Sequence, residues 1–532
     1  MSRVTVLDST LRDGAQSEGI SFSVSDKLRI VTALDQIGVD LIEAGNPGSN
    51  PKDLEFFREA RSLSLSGATL AAFGSTRRKG VKARDDEALV SLLEAGTGTV
   101  VVFGKSWPLH VEKILRATRE ENLDMIRETV DFLKSEGRHV IYDAEHFFDG
   151  KAADGEYAMA TLRAAAEGGA ECLVLCDTNG GSLPWRIAEY TKKAAGLGLP
   201  LGIHAHNDSG LAVANSLAAV EAGAVHVQGT LVGFGERCGN ANLSTIIADL
   251  ALKMDRPCLR QGSLSRLAAA ARQVAEIANV SFDEGMPFVG LKAFAHKAGM
   301  HVDAVIKEPR SFEHVNPELV GNGRRFLASE VGGRSVVVER VRRIDPAATK
   351  DSPLVAQVVK RLKEMEALGY QFEGAEASLE LLMRKAAGKY QPFFTLGHYR
   401  TLGEQPSGDR SHCAQAMVKI KVDGVDEISA AEGDGPVHAL DLALRRALER
   451  FYPNLAGMRL TDFKVRVIDL PGGTGATAAT VRVLIESADS SEAWTTVGVS
   501  TDIIEASWIA LVDSIEYKLI KDLERRYKPY LS

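Results

Sequence analysis

The stretch LGIHAHNDSGLAVANSLAAVEAGAVHVQGTLVGFGERCGN, residues 201–240, decides the fold. It opens on an apolar run, LGIHAHN (201–207), and closes on another, AVHVQGTLVG (224–233), with an alanine- and leucine-rich helical stretch between them. That is a strand–helix–strand unit whose strands are apolar almost throughout, as strands of a parallel sheet buried on both faces are. Working back toward the N-terminus, the same alternation recurs. VTVLDS (4–9), VDLIEAG (39–45), TLAAFGS (69–75), TVVVFG (99–104), HVIYDAEH (139–146) and CLVLCDT (172–178) are six more such runs, separated by helical segments. Leu28, Val31, Leu34 and Ile37 mark the first helix, for which Ser25 is the expected cap and Gly38 the stop. Eight strand–helix units in about 250 residues match the size and repeat number of a (β/α)8 TIM barrel, an α/β fold. A doubly wound sheet remains open, because counting strands does not establish closure.

Polar residues gather at one end of these strands. Asp8, Arg12 and Asp13 follow the first and Glu43 ends the second. Asp143 and Glu145 end the fifth on the same face, Asp177 and Thr178 end the sixth, and His204, His206, Asn207 and Asp208 end the seventh. Barrel active sites are built at the C-terminal ends of the strands, so this asymmetry points to an enzyme. His204-Ala205-His206 is the sharpest local signal: in a strand, residues i and i+2 share a face, so both imidazoles can reach one metal ion. Asp13 would join them, because strands one, seven and eight are neighbours in a closed barrel. Two imidazoles with a carboxylate and an amide suit a divalent ion that keeps positions open for substrate. GFGERCGN (233–240) is one residue longer than the dinucleotide fingerprint and follows the eighth strand, not the first. It reads as a tight turn that delivers Asn240 and the Glu236 backbone to the barrel mouth.

The whole chain is 532 residues, enough for about two to four domains. Residues 1–255 are assigned to the barrel, 256–390 to a helical accessory region and 391–532 to a C-terminal α+β regulatory domain. In the last, AQAMVKIKVDG, EISAAEG and a helix from Pro436 are echoed by TAATVRVLIES, AWTTVGVST and a helix over 503–520, an internal β-β-α repeat. LTDFKVRVID (460–469) reads as a strand between the copies, and LPGGTGA as an exposed turn. A net charge of −8 without a long basic run argues against nucleic acid. No segment approaches the ~18 unbroken apolar residues of a membrane span, and the N-terminus lacks a signal-peptide pattern. Five cysteines without zinc-site spacing fit a reducing cytoplasm, with Cys172 and Cys176 expected as buried small hydrophobes.

Together these motifs resemble the 2-isopropylmalate/homocitrate/citramalate synthase family of metal-dependent, acetyl-CoA-using barrels. LDSTLRDGAQ is similar to its opening signature, GIHAHNDSGLAVANSLAAVEAGA to its second, and VGFGERCGN to its synthase-type loop. HKAGMHVDAV and FEHVNPELVGN resemble its accessory region, and YDAEHFFDG looks most like the citramalate branch. The resemblance implies a Claisen-type condensation of acetyl-CoA with a 2-keto acid, with pyruvate favoured, followed by thioester hydrolysis. It makes Asp13, His204 and His206 metal ligands, with Asn240 a fourth, for Mg2+ or Mn2+ ahead of Zn2+. Arg12 would polarise the keto oxygen, Asp143 and Thr178 would bind the keto acid, and Glu145 and His301 would assist proton transfer. A homodimer, isoleucine biosynthesis and feedback by isoleucine on the C-terminal repeats are also implied. Phe312 stands where the family often has Tyr, so any step that uses that hydroxyl is in doubt here. The alternatives are 2-isopropylmalate or homocitrate synthesis, and a non-catalytic amino-acid sensor whose barrel is structural.

Overall fold

The computed structural model describes residues 3–297, 299–326, 337–338, 340–404, 413–468, 479–489 and 492–527. Eight parallel strands close into a barrel: β1 (Thr5–Asp8), β2 (Leu41–Glu43), β3 (Thr69–Ser75), β4 (Thr99–Lys105), β5 (His139–Glu145), β6 (Cys172–Asp177), β7 (Leu201–Ala205) and β8 (His226–Gly229). Closure is made by β1 against β8, with Thr5 opposite His226 and Asp8 opposite Gly229. The doubly wound alternative is thereby excluded.

The apolar runs are continuous because each strand is covered on both faces. Along β4, Val101 packs inside the barrel with Leu7, Ala71, Ile141, Val174, Cys172 and Cys176. Val100 and Val102 instead join the layer between strands and helices. Alternation then fixes what happens at the C-terminal ends. The inward row of β6 runs Cys172, Val174, Cys176 and on to Thr178, that of β5 runs Ile141, Asp143, Glu145, and that of β7 leads to His204 and His206. The barrel's interior is therefore mostly apolar below, with His226 of β8 buried there as an exception, and polar at the mouth. Cys172 and Cys176 are buried, and burial first of all raises both thiols, that of Cys172 to about 12.

The first helix, Val24–Ile37, is capped by Ser23 and not by Ser25. Ser23 Oγ accepts the Asp26 N–H at 3.1 Å while Asp26 accepts the Ser23 N–H at 3.0 Å, a reciprocal capping box. Ser25 lies inside the helix, one residue past its start. Gly38 ends the helix as expected, in a left-handed conformation at φ 83°. Ser23→Ala should lower the stability of this unit by about 1 kcal/mol and Ser25→Ala by only a few tenths, read as urea midpoints.

The chain divides into two compact units, Met1–Phe294 with His314–Arg324, and Ala295–Glu313 with Arg325–Ser532. The first carries on past the barrel, since the helix Leu267–Ile277 packs on Val24–Ile37. In the second, Cys413–Val422 pairs antiparallel with Thr395–Glu404 and with Val425–Gly433, and the helix Pro436–Glu449 covers this sheet. Thr480–Ala488 likewise sits between Arg459–Ile468 and Ala493–Ser500 under the helix Ile503–Tyr527. The repeat is thus β-β-β-α and not β-β-α. The unread strand, Thr395–Glu404, is largely exposed, so it shows no apolar alternation. The LPGGTGA turn lies outside the described residues. Among the described residues no helix is long and apolar enough to cross a membrane.

Candidate active site

The chain beyond β1 folds back on itself, with the Asp8 carboxylate accepting the Thr10 N–H at 2.8 Å, and this presents Arg12 and Asp13 at the mouth. Glu43, fully buried at the end of β2, accepts Arg12 Nε at 2.6 Å and Ser9 Oγ at 2.5 Å. Arg12 Nη1 donates to Asp13 Oδ2 at 2.8 Å, and the guanidinium carbon lies 3.7 Å from the centre of the Phe73 ring. The cation is thus clamped between two carboxylates and an aromatic face, which fixes its direction. Burial pushes the Asp13 carboxyl up, but Arg12, the two imidazoles and the Asn240 amide outweigh it and hold Asp13 well below the usual carboxylate range.

Asp13, His204 and His206 each bring a ligand-type atom within 4.8 Å of the others, the one such group found among the described residues. His204 Nε2 is 3.4 Å from His206 Nε2 and 3.6 Å from Asp13 Oδ2. Two nitrogens bound side by side on one ion at ~2.1 Å would be separated by roughly 3 Å, so the spacing fits. Burial first, then His206, hold the His204 imidazole at about 3 despite Asp13, and burial also lowers His206. Both rings are therefore neutral at pH 7, the form that binds metal. Asn240 adds a further test of fit. Its Nδ2 donates to Asp13 Oδ1 at 2.9 Å and to the Phe234 carbonyl at 3.1 Å, while its Oδ1 is buried with no hydrogen-bond partner. A buried amide oxygen left this way beside a carboxylate and two imidazoles is accounted for by a cation.

The glycine-rich loop makes this approach possible. Asn240 pairs with His206 in an antiparallel bridge, and its N–H donates to the Gly233 carbonyl at 3.2 Å. A Cβ on Gly239 (φ +86°) would meet that same carbonyl oxygen at 2.0 Å, and one on Gly235 would meet Asn240 Nδ2 at 2.2 Å. A side chain at Gly239 would displace the Gly233 carbonyl that Asn240 N–H bonds, and one at Gly235 would displace the Asn240 amide itself.

Around the cluster lies a cavity of about 310 Å³. Arg12, Asp143, Glu145 and Thr178 line it with the donor cluster, so the barrel brings together these four and Asp13, His204 and His206. Thr178 Oγ1 accepts the His146 N–H at 2.8 Å, which leaves its own hydrogen to donate. Glu145 is ion-paired to Lys105. Asp143 is buried; desolvation above all, with Glu43, raises its carboxyl well above the usual range, and its Oδ1 accepts from Gln228. His301 belongs to the second unit, on the helix Gly299–Lys307, with its ring stacked 4.1 Å from that of Phe312. The phenyl group therefore meets an imidazole face where a tyrosine would add a hydroxyl.

Three residues of the mouth had no role in the sequence reading. Glu43 and Gln228 face inward at strand ends, and strict period-2 counting from Leu41 and His226 would have found both. Arg237 would not have been found. It sits in the loop at φ 55°, forks onto Asp208 with two 2.8 Å bonds, and donates to the Thr178 carbonyl at 2.9 Å. Only the folded loop brings it there, as a second fixed positive charge.

Residues 3–274 match the HMGL-like family, 288–369 the homocitrate synthase post-HMGL domain-like family, and 373–519 the LeuA allosteric (dimerisation) domain. The chain belongs to the HMGL-like family. It is 50% identical to the (R)-citramalate synthase of Geobacter sulfurreducens, covering 98% of this chain and 99% of that one. The (R)-citramalate synthase of Aquifex aeolicus is also 50% identical (98% and 99% covered), and that of Synechocystis is 51% identical (96% and 95% covered). These full-length likenesses put the chain with the citramalate synthase branch that its motifs resemble.

Proposed function

We propose that this chain is an (R)-citramalate synthase, condensing acetyl-CoA with pyruvate to citramalate and free CoA. The reading is carried by one coincidence: full-length likeness of 46–51% to five such synthases, in a chain whose mouth keeps the whole donor set together. The intact set argues against a barrel that is only structural, which would be expected to have lost a ligand.

Asp13, His204, His206 and Asn240 would hold a divalent ion, Mg2+ or Mn2+ ahead of Zn2+, which when bound supplies Lewis acidity toward the keto oxygen. Arg12, with Nε and Nη1 already engaged, turns its remaining donors to the same oxygen and stabilises the alkoxide that develops there. The Thr178 hydroxyl donates to the keto-acid carboxylate. Glu145 takes a proton from the acetyl methyl, with His301 the second candidate for that role. The enolate carbon bonds to the keto carbon, the alkoxide takes up a proton, and water cleaves the thioester to release the CoA thiol.

The protein acts in the cytoplasm as a homodimer, the C-terminal unit serving assembly and feedback by isoleucine. Its LeuA-type match supports this, as does a cavity of about 600 Å³ in that unit, where Asp513 and Lys385 stand beside Met365, Leu382 and Ile509. Such a mixed lining suits a zwitterion with an apolar side chain.

The reading is tested with a panel of keto acids offered with acetyl-CoA, following thiol release. Pyruvate should give the highest kcat/KM, with larger acids lower by about 10–200-fold per added methylene. Preference for 2-oxoisovalerate or 2-oxoglutarate would reassign the chain to 2-isopropylmalate or homocitrate synthesis. Saturating isoleucine should lower the rate with pyruvate, and an unchanged rate would remove the feedback role.

A further inference from the structure

Beneath the donor cluster a chain of hydrogen-bonding groups crosses the barrel interior. His204 Nδ1 lies 3.0 Å from Gln228 Oε1, and Gln228 Nε2 lies 3.0 Å from Asp143 Oδ1. All three side chains are buried, Gln228 completely. Their alignment follows from strand register, which sets His204 of β7 beside Gln228 of β8, while β5 supplies Asp143 from across the barrel.

A carboxamide has one donating and one accepting end, so whatever fixes one end fixes the other. With Nε2 donating to the Asp143 oxygen, Oε1 is left to accept, and it accepts from His204 only if Nδ1 carries the ring hydrogen. Nε2 of His204 is then the lone-pair atom. On its upper side the ring faces His206 Nε2 at 3.4 Å and Asp13 Oδ2 at 3.6 Å.

We infer that Gln228, braced by Asp143, is a positioning residue that holds His204 in its Nδ1–H tautomer, so that Nε2 presents a lone pair to the space shared with Asp13 and His206. The inference builds on the metal centre proposed above, but the tautomer belongs to the chain alone and is measurable without metal. Nothing else accepts from Nδ1 among the described contacts of His204. Gln228 is thus the acceptor that orients this ring, as outer partners of ligating histidines generally do.

The first readout is the 15N spectrum of metal-free, selectively 15N-histidine-labelled full-length protein at neutral pH, with the His204 signals identified by their loss in His204→Gln. The inference expects Nδ1 protonated and Nε2 not. The opposite tautomer, which a flipped Gln228 accepting from a protonated Asp143 would enforce, overturns it. The second readout is Mn2+ binding by electron paramagnetic resonance in the wild-type, Gln228→Met and Gln228→Glu proteins. Methionine matches the volume but offers only a weak thioether acceptor, and should weaken Mn2+ binding by about 10–100-fold. Glutamate restores an acceptor and should recover most of that loss. A folded Gln228→Met protein that binds Mn2+ as tightly as wild type overturns the inference. Failure of the wild type to bind Mn2+ would sink the metal reading itself, while the tautomer spectrum would still decide the role of Gln228.

Discussion

Replacing Asp13 with alanine is expected to reduce pyruvate-dependent thiol release by about 10³-fold or more, which corresponds to roughly 4 kcal/mol of transition-state stabilisation. The carboxylate accepts from Arg12 Nη1 at 2.8 Å and Asn240 Nδ2 at 2.9 Å, and lies 3.6 Å from His204 Nε2. Removing it takes the only charged donor out of the cluster, and frees Asn240 to rotate its amide away. The two imidazoles remain, so the loss is one of ion affinity first and of rate as a consequence. Thermal melting separates these effects from misfolding. A ligand at about 1,000 times its Kd adds roughly 4 kcal/mol to folding stability, so Mn2+ should raise the wild-type Tm and leave that of Asp13→Ala unchanged. Asp13→Ala protein that keeps both the Mn2+ shift and the rate would dismiss Asp13 from the site.

Arg12→Ala should be nearly as damaging to rate and far more damaging to stability. Loss of a preorganised donor at a developing oxyanion costs about 10²–10³ in kcat. In addition, Glu43 is fully buried, and Arg12 is its cationic partner, with Nε at 2.6 Å. Stranding a buried carboxylate by removing its partner costs about 3–5 kcal/mol. The urea transition of the barrel unit should move accordingly. Arg12→Ala combined with Glu43→Gln should recover most of the stability without recovering the rate, because the second change removes the stranded charge and not the missing donor. Equal losses of stability in the single and double variants would mean that the Arg12–Glu43 contact is not what holds this corner of the barrel.

The barrel was legible because its physics repeats. Strands buried on both faces are apolar almost throughout, and eight such runs with helices between them leave few other folds. The strand ends proposed to carry chemistry were legible for the same reason, since Asp8, Glu145, Asp177, His204 and His206 interrupt apolar runs that have no local reason to stop. What could not be read falls into two kinds. The first is the exposed strand Thr395–Glu404, whose backbone pairing carries no side-chain pattern; the two repeats therefore looked like β-β-α. The second is the partnership of groups far apart in sequence. Glu43 was visible as a polar strand end, but its hold on Arg12 depends on how β1 and β2 meet. Arg237 reaches Asp208 and Thr178 only because the loop takes a left-handed turn at that residue. The cap of the first helix shows the same limit on a small scale. Ser23 and Ser25 are equivalent by residue type, and it is the aspartate three residues after Ser23 that completes the box.

The most direct measurement is a single reaction of metal-loaded protein with acetyl-CoA and 13C-labelled pyruvate, followed by carbon NMR and thiol titration together. Citramalate carrying the label, formed one for one with free CoA and only when both substrates and the divalent ion are present, is the predicted result. CoA released without pyruvate, or pyruvate left unconsumed while the ion is bound at Asp13, His204 and His206, would contradict it.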